Sequence, residues 1–526
     1  MTDAVVIGSG PNGLVAANLL ADRGWSVTVL EAATEPGGAV RSAELLEPGY
    51  VNDLFSAFYP LGKASPIIGG LQLEEYGLRW CRADVPLAHP ALDGSCPIIG
   101  ATPEATAASL EALAPGDGEA WLRLFDRWET VGADLLGTLF RPFPPVRSAL
   151  GLAWKLKPAE MIRFTRFALL PVRRLGEEEF VGEAARRLLA GNALHADFAP
   201  ESTLSGFFGW LLASLAQQVG FPVPEGGAGR LSGAMVERLK AKGGDVICDA
   251  RVENIVVRGG KAVAVQLVGG ETISAKRAVI ADVDAPTLYL DLVGREHLPA
   301  AFLADVDRFH WDAATVKVDW TLDGPIPWSA DGARLASVVH VADSVDDLTI
   351  GAAQQTAGLL PERPFLLVGQ QHLTDPTRQP AGKETAWAYT HVARTVKGDC
   401  GGDLTGRWDT REAELFTARM ESQIERLAPG FGDLIRKRHI FTPPMLDEAN
   451  ANLSHGAIGG GTSQLHQQLV FRPVPGLGRA ETPIKNLFLG SSSAHPGGGV
   501  HGACGANAAK AALSSKLKRR VVRPAR

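Results

Sequence analysis

The chain has 526 residues, 45% of them hydrophobic and 21% charged, the composition of a foldable globular chain of about two to four domains. Its formal net charge of −6 gives no basis for nucleic acid as a general partner. Five cysteines (Cys81, Cys96, Cys248, Cys400 and Cys504) are scattered without a C-x-x-C pair; they read as reduced thiols of a cytoplasmic protein, not as a disulfide frame or a redox dithiol.

Val5, Val6 and Ile7 form a short β-branched run that enters Gly8-Ser9-Gly10-Pro11-Asn12-Gly13. A helical pattern with Leu14, Ala17, Leu19 and Leu20 follows, Gly24 stands just past its end, and a second strand, Val27 to Leu30, closes on Glu31. Strand, glycine turn, helix, strand and acid within one short unit predict dinucleotide binding. Gly8 permits the turn, Gly10 lets the backbone approach a pyrophosphate, and Gly13 lets helix and strand pack closely. The helix N-terminus offers N–H groups to phosphate. Glu31 accepts from a ribose diol and repels a 2′-phosphate. With the first strand starting by residue 4, no signal peptide is expected.

The next residues, Ala32 to Ser42, contain Gly37-Gly38, Ala39 and Arg41. An acid followed six residues later by Gly-Gly and then by a basic and a hydroxyl residue resembles the flavin-binding amine-oxidase and phytoene-desaturase superfamily. The resemblance implies FAD as cofactor, with Pro11, Asn12, Ala32, Gly37, Gly38 and Ala39 beside its pyrophosphate and ribityl chain. Arg41 is a candidate to offset phosphate charge. It also implies that residues 43–70, broken at Gly49, Pro60, Gly62 and Pro66, pass the flavin ring, near Asn52, Asp53, Ser56 and Tyr59.

Residues 71–225 read as a separate lobe. Short strands are expected between Arg79 and Gly100, then helices from Pro103 to about Arg187, broken near Pro142, Pro144 and Pro145 and again at Pro158. Trp121, Phe125, Trp128, Phe140, Phe143, Trp154, Phe164, Phe167 and Phe180 suit a core or a lipophilic pocket. The apolar stretch Leu204 to Ala216 is too short to span a bilayer; it reads as a buried helix, with a cavity wall or a membrane-dipping surface as the sharper alternatives.

Residues 221–285 return to the nucleotide fold. The pattern predicts a helix from Leu231 to Ala241, strands at Asp245 to Cys248, Val252 to Arg258 and Ala262 to Leu267 with a hairpin turn at Gly259-Gly260, a further strand at Thr272 to Ser274, and a buried parallel strand at Ala278 to Ala281. By the resemblance, the Val252 backbone holds the adenine. Further strands are expected at Ala314 to Leu322, Ser337 to Val341, Phe365 to Gln370 and Ala386 to Val392, and a helix from Arg411 to Leu427 capped at Asp409-Thr410. At the end, Leu487-Phe488-Leu489 reads as a strand, followed by Gly490, a glycine-rich loop and a helix from about Gly502. Strand, Gly-x-x-x-His-Pro-Gly-Gly-Gly-x-x-Gly, helix resembles phytoene-desaturase-type flavoproteins, and Asn452 to Pro473 adds to it. The resemblance covers essentially the whole length. It implies that Gly490, Gly498, Gly499, Val500 and Asn507 line the flavin. Where many relatives carry Gly-Asp-Ile, this chain has Gly456-Ala457-Ile458.

The expected architecture is α/β. A discontinuous Rossmann-like FAD-binding domain takes residues 1–70, 221–295 and 480–526, and a mixed α+β substrate-binding domain takes 71–220 and 296–479. The expected activity is an FAD-dependent oxidoreductase, phytoene-desaturase-like, that moves a hydride from a substrate carbon to flavin N5. The substrate expected is a small, lipophilic or polyene-like molecule. His455 and His501 are the candidate acid–base residues; a structural role is the alternative for each. A flavin amine oxidase and a non-catalytic FAD-fold lipid carrier are the competing readings. No metal site is expected, since neither a Cys/His cluster nor H-E-x-x-H occurs. The basic tail from Lys516 to Arg526 makes peripheral membrane contact the minority expectation. Substrate identity, electron acceptor and oligomeric state stay open.

Overall fold

In a computed structural model, residues 2–145 and 157–521 are described; Trp154 and the end of the basic tail lie outside them. Two seven-stranded sheets organise the chain. In the first, the strand Thr2–Ile7 pairs in parallel with Val27–Leu30 on one side and with Thr272–Ala281 on the other. Leu487–Leu489 adds in parallel beyond Thr272–Ala281. Ala4–Ile7, Ala278–Ala281 and Leu487–Leu489 are apolar and buried on both faces, as a helix-covered parallel sheet requires. Helix Pro11–Ala21 and helix Ser205–Val219 form where the apolar periodicity places them. The latter buries Trp210, Leu211, Leu215 and Ala216, so the buried-helix reading of this stretch holds.

One local reading is corrected here. Thr272 to Ser274 and Ala278 to Ala281 are one strand, Thr272–Ala281. Its first half pairs antiparallel with Lys261–Leu267 and its second half joins the parallel sheet. The intervening Lys276 and Arg277 break the apolar pattern without breaking the strand, because Arg277 lies at the sheet end and bonds Asp3 at 2.9 Å. Asp245–Ile247 does not join the hairpin of Val252–Arg258 and Lys261–Leu267; it pairs in parallel with Val27–Leu30 at the far edge.

The second sheet runs in the order Ile435–Phe441, Ala314–Leu322, Glu384–Val392, Leu366–Gln370, Ala336–Val341, Val85–Ala88, Ile98–Ile99. One face buries Val316, Val318, Trp320, Ala386 and Ala388 against Phe416, Met420 and Ile424 of helix Thr410–Leu427. That helix starts as expected, with the Asp409 side chain accepting from the Glu412 N–H at 2.9 Å. The period of two turns Thr315, Lys317, Asp319, Trp387, Tyr389 and His391 to the opposite face, toward the nucleotide fold and the helical lobe. The strands expected between Arg79 and Gly100 close this sheet: Val85–Ala88 pairs in parallel with Ala336–Val341. Among the described residues, no helix is long and apolar enough to cross a membrane.

Candidate functional site

The two glycine pairs near the start touch. A Cβ on Gly38, whose φ is +57°, would stand 2.9 Å from Gly10 Cα. The Gly37 N–H donates to the Ser9 carbonyl at 3.2 Å and to Ser9 Oγ at 3.1 Å. A Cβ on Gly13 would stand 2.3 Å from the Gly8 carbonyl oxygen, so only glycine allows the helix to begin this close to the strand. Glu31 is fixed at the edge of this crevice. It accepts from the Ser9 N–H at 2.9 Å, from Ser9 Oγ at 2.5 Å and from the Ala33 N–H at 2.9 Å. Its carbonyl accepts from Ala250 N–H at 2.8 Å, which sets buried Val252 beside it. Arg41 lies over Phe55, 5.3 Å from the ring centroid, and donates to the Gly38 and Ala449 carbonyls; among the described residues it pairs with no carboxylate. Ala39 is held by Ser56, which donates to its carbonyl at 2.6 Å through Oγ.

Sequence reasoning missed Asp282, which directly follows the buried AVIA run. Its carboxylate accepts from the Gly13 N–H at 2.7 Å, under the first turn of helix Pro11–Ala21. Burial pushes it up to about 7 against that hydrogen bond. Because its folded value lies above its unfolded one, the cost of ionising it is absent below about pH 4, grows to about pH 7 and is full above. Asp282→Asn keeps an acceptor for Gly13 and removes the charge. The FAD-free variant is therefore expected to be more stable than FAD-free wild type by about 4 kcal/mol above neutrality. The advantage should vanish toward pH 4, as read from denaturant melts across pH; a pH-independent difference would remove this role.

The C-terminal segment meets the same crevice. The Gly490 N–H donates to the Ala281 carbonyl at 2.8 Å. A Cβ on Gly498 would lie 2.9 Å from the Gly459 carbonyl oxygen, and one on Gly499 2.9 Å from Leu61. The Val500 carbonyl lies against Gly62. Asn507 donates to the Phe140 carbonyl at 3.2 Å while its Oδ1 is buried without a protein partner. Helix Ala503–Val521 crosses helix Pro11–Ala21 so closely that the Gly505 N–H reaches Asn12 Oδ1 at 3.4 Å.

Behind this loop sits Arg472, a second residue that motif reading passed over. It is fully buried and, among the described residues, bonds only backbone carbonyls, including Thr462 at 2.8 Å and Ser492 at 2.7 Å. Burial pushes it down to about 10, which leaves it cationic at neutral pH. Asp312 gathers the adjoining turn by accepting from the Ile458, Gly459 and Gly461 N–H groups at 2.6–2.9 Å.

The two candidate histidines are not brought together. His501 is buried, with its ring 5.0 Å from Phe140, and its Nδ1 accepts from the Ala503 N–H at 3.0 Å, capping the last helix. Burial pushes it down to about 4, so it is neutral at pH 7. His455 stands at a surface turn with 71% of its side chain exposed, 3.8 Å from Asp447.

The crevice fits the pyrophosphate and ribose of a dinucleotide. Glycines line it on both sides, the N–H groups of Gly10 and Asn12 have no acceptor among the described residues, and a carboxylate marks its far end. Residues 6–66 match the NAD(P)-binding Rossmann-like domain, and residues 108–392 match the family described as flavin containing amine oxidoreductase. A mouse protein named pyridine nucleotide-disulfide oxidoreductase domain-containing protein 2 is 27% identical, over 96% of this chain and 92% of its own. The neurosporene-forming phytoene desaturase of Cereibacter sphaeroides is 25% identical, over 99% and 96%. Among solved structures, an oxidoreductase from Methanosarcina mazei superposes with a TM-score of 0.62 at 15% identity, over 97% of this chain and 99% of that one. Putrescine oxidase with bound putrescine gives 0.60 at 17%, over 98% and 99%. The second match alone takes in more than half of the chain and lies wholly beyond the dinucleotide unit; the chain thus belongs to the flavin containing amine oxidoreductase family and is an FAD-dependent oxidoreductase.

Proposed function

We propose that this enzyme dehydrogenates a lipophilic small molecule, and that residues 1–70, 221–295 and 480–526 form the FAD-binding domain over which residues 71–220 and 296–479 hold the substrate. One observation supports the reading: the segment that meets the C-terminal glycine loop continues in aromatic contacts toward residues 71–220 and 296–479. Leu61 touches the Gly499 position. Phe58, on the same segment, lies 6.2 Å from Phe221 and 5.7 Å from Trp387.

When bound, FAD accepts a hydride at N5. The chain's own residues do the rest. Gly10, Asn12 and Gly13 present the helix N-terminus to the pyrophosphate, and Glu31 takes the ribose. Gly498, Gly499 and Val500 allow close backbone approach to the ring. The Arg472 cation, screened by little water, stabilises negative charge on the reduced ring. Phe58, Phe221 and Trp387 exclude water and orient an apolar carbon skeleton. His501, neutral and held by the Ala503 N–H, positions the loop, and His455 has no path to the ring from its surface turn. Exposed Ile162 and Leu169 on helix Pro158–Leu169 supply an apolar patch for peripheral membrane contact, supporting delivery of such a substrate.

The test is anaerobic reduction of the yellow holoenzyme with a panel of terpenoid, fatty and amine compounds. Bleaching by lipophilic compounds and not by amines is expected. Bleaching by amines alone would replace this reading with amine oxidation, and a protein that takes up no FAD would make it a carrier. His455→Ala is expected to leave the rate of bleaching within about two-fold of wild type, an expectation overturned by a loss of about ten-fold or more.

A further inference from the structure

Deep in the substrate lobe runs a row of aromatic polar side chains, several of whose ring nitrogens have no partner among the described residues. His89 follows strand Val85–Ala88, His340 lies in Ala336–Val341, His195 ends helix Glu183–His195, and Tyr389 and His391 lie in Glu384–Val392. Successive ring centroids are 5.5 Å (His89 to His340), 5.8 Å (His340 to His195), 6.4 Å (His195 to Tyr389) and 5.5 Å (Tyr389 to His391). His89 and His340 have no exposed surface. The buried ring nitrogens without a partner are His89 Nδ1, His195 Nδ1, His391 Nε2 and both nitrogens of His340. So many unmet groups in one place are costly unless something fills them.

The helix leaves room for this row on purpose of shape: a Cβ on Gly191 would stand 2.5 Å from His340 Nδ1 and 3.0 Å from His89 Nδ1. Both nitrogens turn toward the Gly191 face of this helix. The hydrogen bonds already made decide what they offer. His89 Nε2 lies 3.2 Å from the Ala342 carbonyl, which can only accept, so Nε2 carries the proton. Burial holds this ring well below its ordinary value and therefore neutral. Its free Nδ1 is an acceptor. His340, neutral for the same reason, contributes one donor and one acceptor. Arg187 spends its terminal nitrogens on the carbonyls of Asp343 and His89 and on Ser95 Oγ, while its buried Nε, without a partner among the described residues, adds a donor beside the row. A site that presents an acceptor and a donor, with neutral rings around it, suits a group that both donates and accepts. A hydroxyl does both; a hydrocarbon does neither.

We infer that His89, His340 and His195 form a polar anchor for the hydroxyl of an otherwise lipophilic substrate. The apolar body then passes Phe221, whose ring is 5.9 Å from His195, and Phe58 on its way to the flavin loops. This rests on the reading of the site as that of a lipophilic substrate, and it narrows that substrate from a pure polyene to an oxygen-bearing one.

The test compares matched probes on the FAD-loaded full chain: farnesol against farnesene and geraniol against myrcene, read by perturbation of the flavin absorbance band and by tryptophan quenching. The alcohols are expected to bind about ten-fold tighter or more. His340→Leu and His89→Leu are expected to remove that preference while leaving hydrocarbon binding within about two-fold. Equal binding of alcohol and hydrocarbon by wild type, as when only a buried water satisfies the histidines, overturns the anchor. So does an undiminished preference in both variants, or no binding of either alcohol. If the leucine variants fail to fold, the wild-type comparison and His340→Gln decide alone. Failure of the underlying reading looks different: no FAD is retained, or only amines bleach it.

Discussion

Gly505→Val is expected to cost about 3 kcal/mol or more and to yield protein that loses FAD on gel filtration. A Cβ at this position would lie 1.9 Å from the Asn12 carbonyl oxygen and 2.7 Å from its carbon, both backbone atoms that cannot turn aside. The only relief is to separate helix Ala503–Val521 from helix Pro11–Ala21. That movement pulls the C-terminal glycine loop, Gly497 to Gly502, away from the N-terminal one. Gly505→Ala makes the argument sharper. In an exposed helix the change from glycine to alanine stabilises by about 1 kcal/mol, so a net loss in this helix reports the crossing itself. Equilibrium denaturation and the flavin absorbance of the purified variants check both expectations. A yellow Gly505→Val protein as stable as wild type would mean that the two ends do not need each other.

Arg378→Ala is expected to lose about 3–5 kcal/mol of stability, since it breaks a buried ion pair by removing one partner. Arg378 is fully buried and donates to Asp53 Oδ2 at 2.5 Å, to Asp375 Oδ2 at 3.2 Å and to the Pro224 carbonyl at 3.2 Å. Asp53 also accepts from Ser42 Oγ at 2.7 Å and from the Ala228 N–H at 2.8 Å, and its carbonyl accepts from Lys317 Nζ at 3.0 Å. Lys317 in turn pairs with Asp319. The network joins the loop after the first dinucleotide unit to the start of helix Gly229–Ala241 and to the second sheet. Without the guanidinium, Asp53 and Asp375 are left as buried carboxylates with fewer donors. Arg378→Lys keeps a charge but not the fork, and an intermediate loss is expected. The denaturation midpoint measures this; an alanine variant within about 1 kcal/mol of wild type would show the pair to be replaceable by water.

Local chemistry made the first unit readable. Gly8 through Glu31 and Gly37-Gly38 are tied to one another by contacts within the same short stretch of chain, so their spacing carries their geometry. The strand Ala314–Leu322 and the cap at Asp409 were legible for the same reason: period and cap are properties of neighbouring residues. The single strand Thr272–Ala281 was misread as two because its register is set by partners on both sides, and Lys276 and Arg277 are tolerated by the sheet end they reach.

What only the tertiary structure decided is which polar groups are deprived of water. Asp282, Arg472 and the histidines at 89, 195 and 340 carry no motif, because a lone acid or histidine in an apolar run looks the same in sequence whether it ends in solvent or in a core. His501 and His455 looked equivalent as letters; burial separated them, making one a neutral helix cap and leaving the other at the surface. The sequence by itself determined the cofactor-binding fold, since glycine positions and strand periodicity are local. The chemistry of the proposed substrate lobe depends on pairings such as His340 with His89, about 250 residues apart in the chain, as the Ala342 bond to His89 shows, and those distances exist only once the chain has folded.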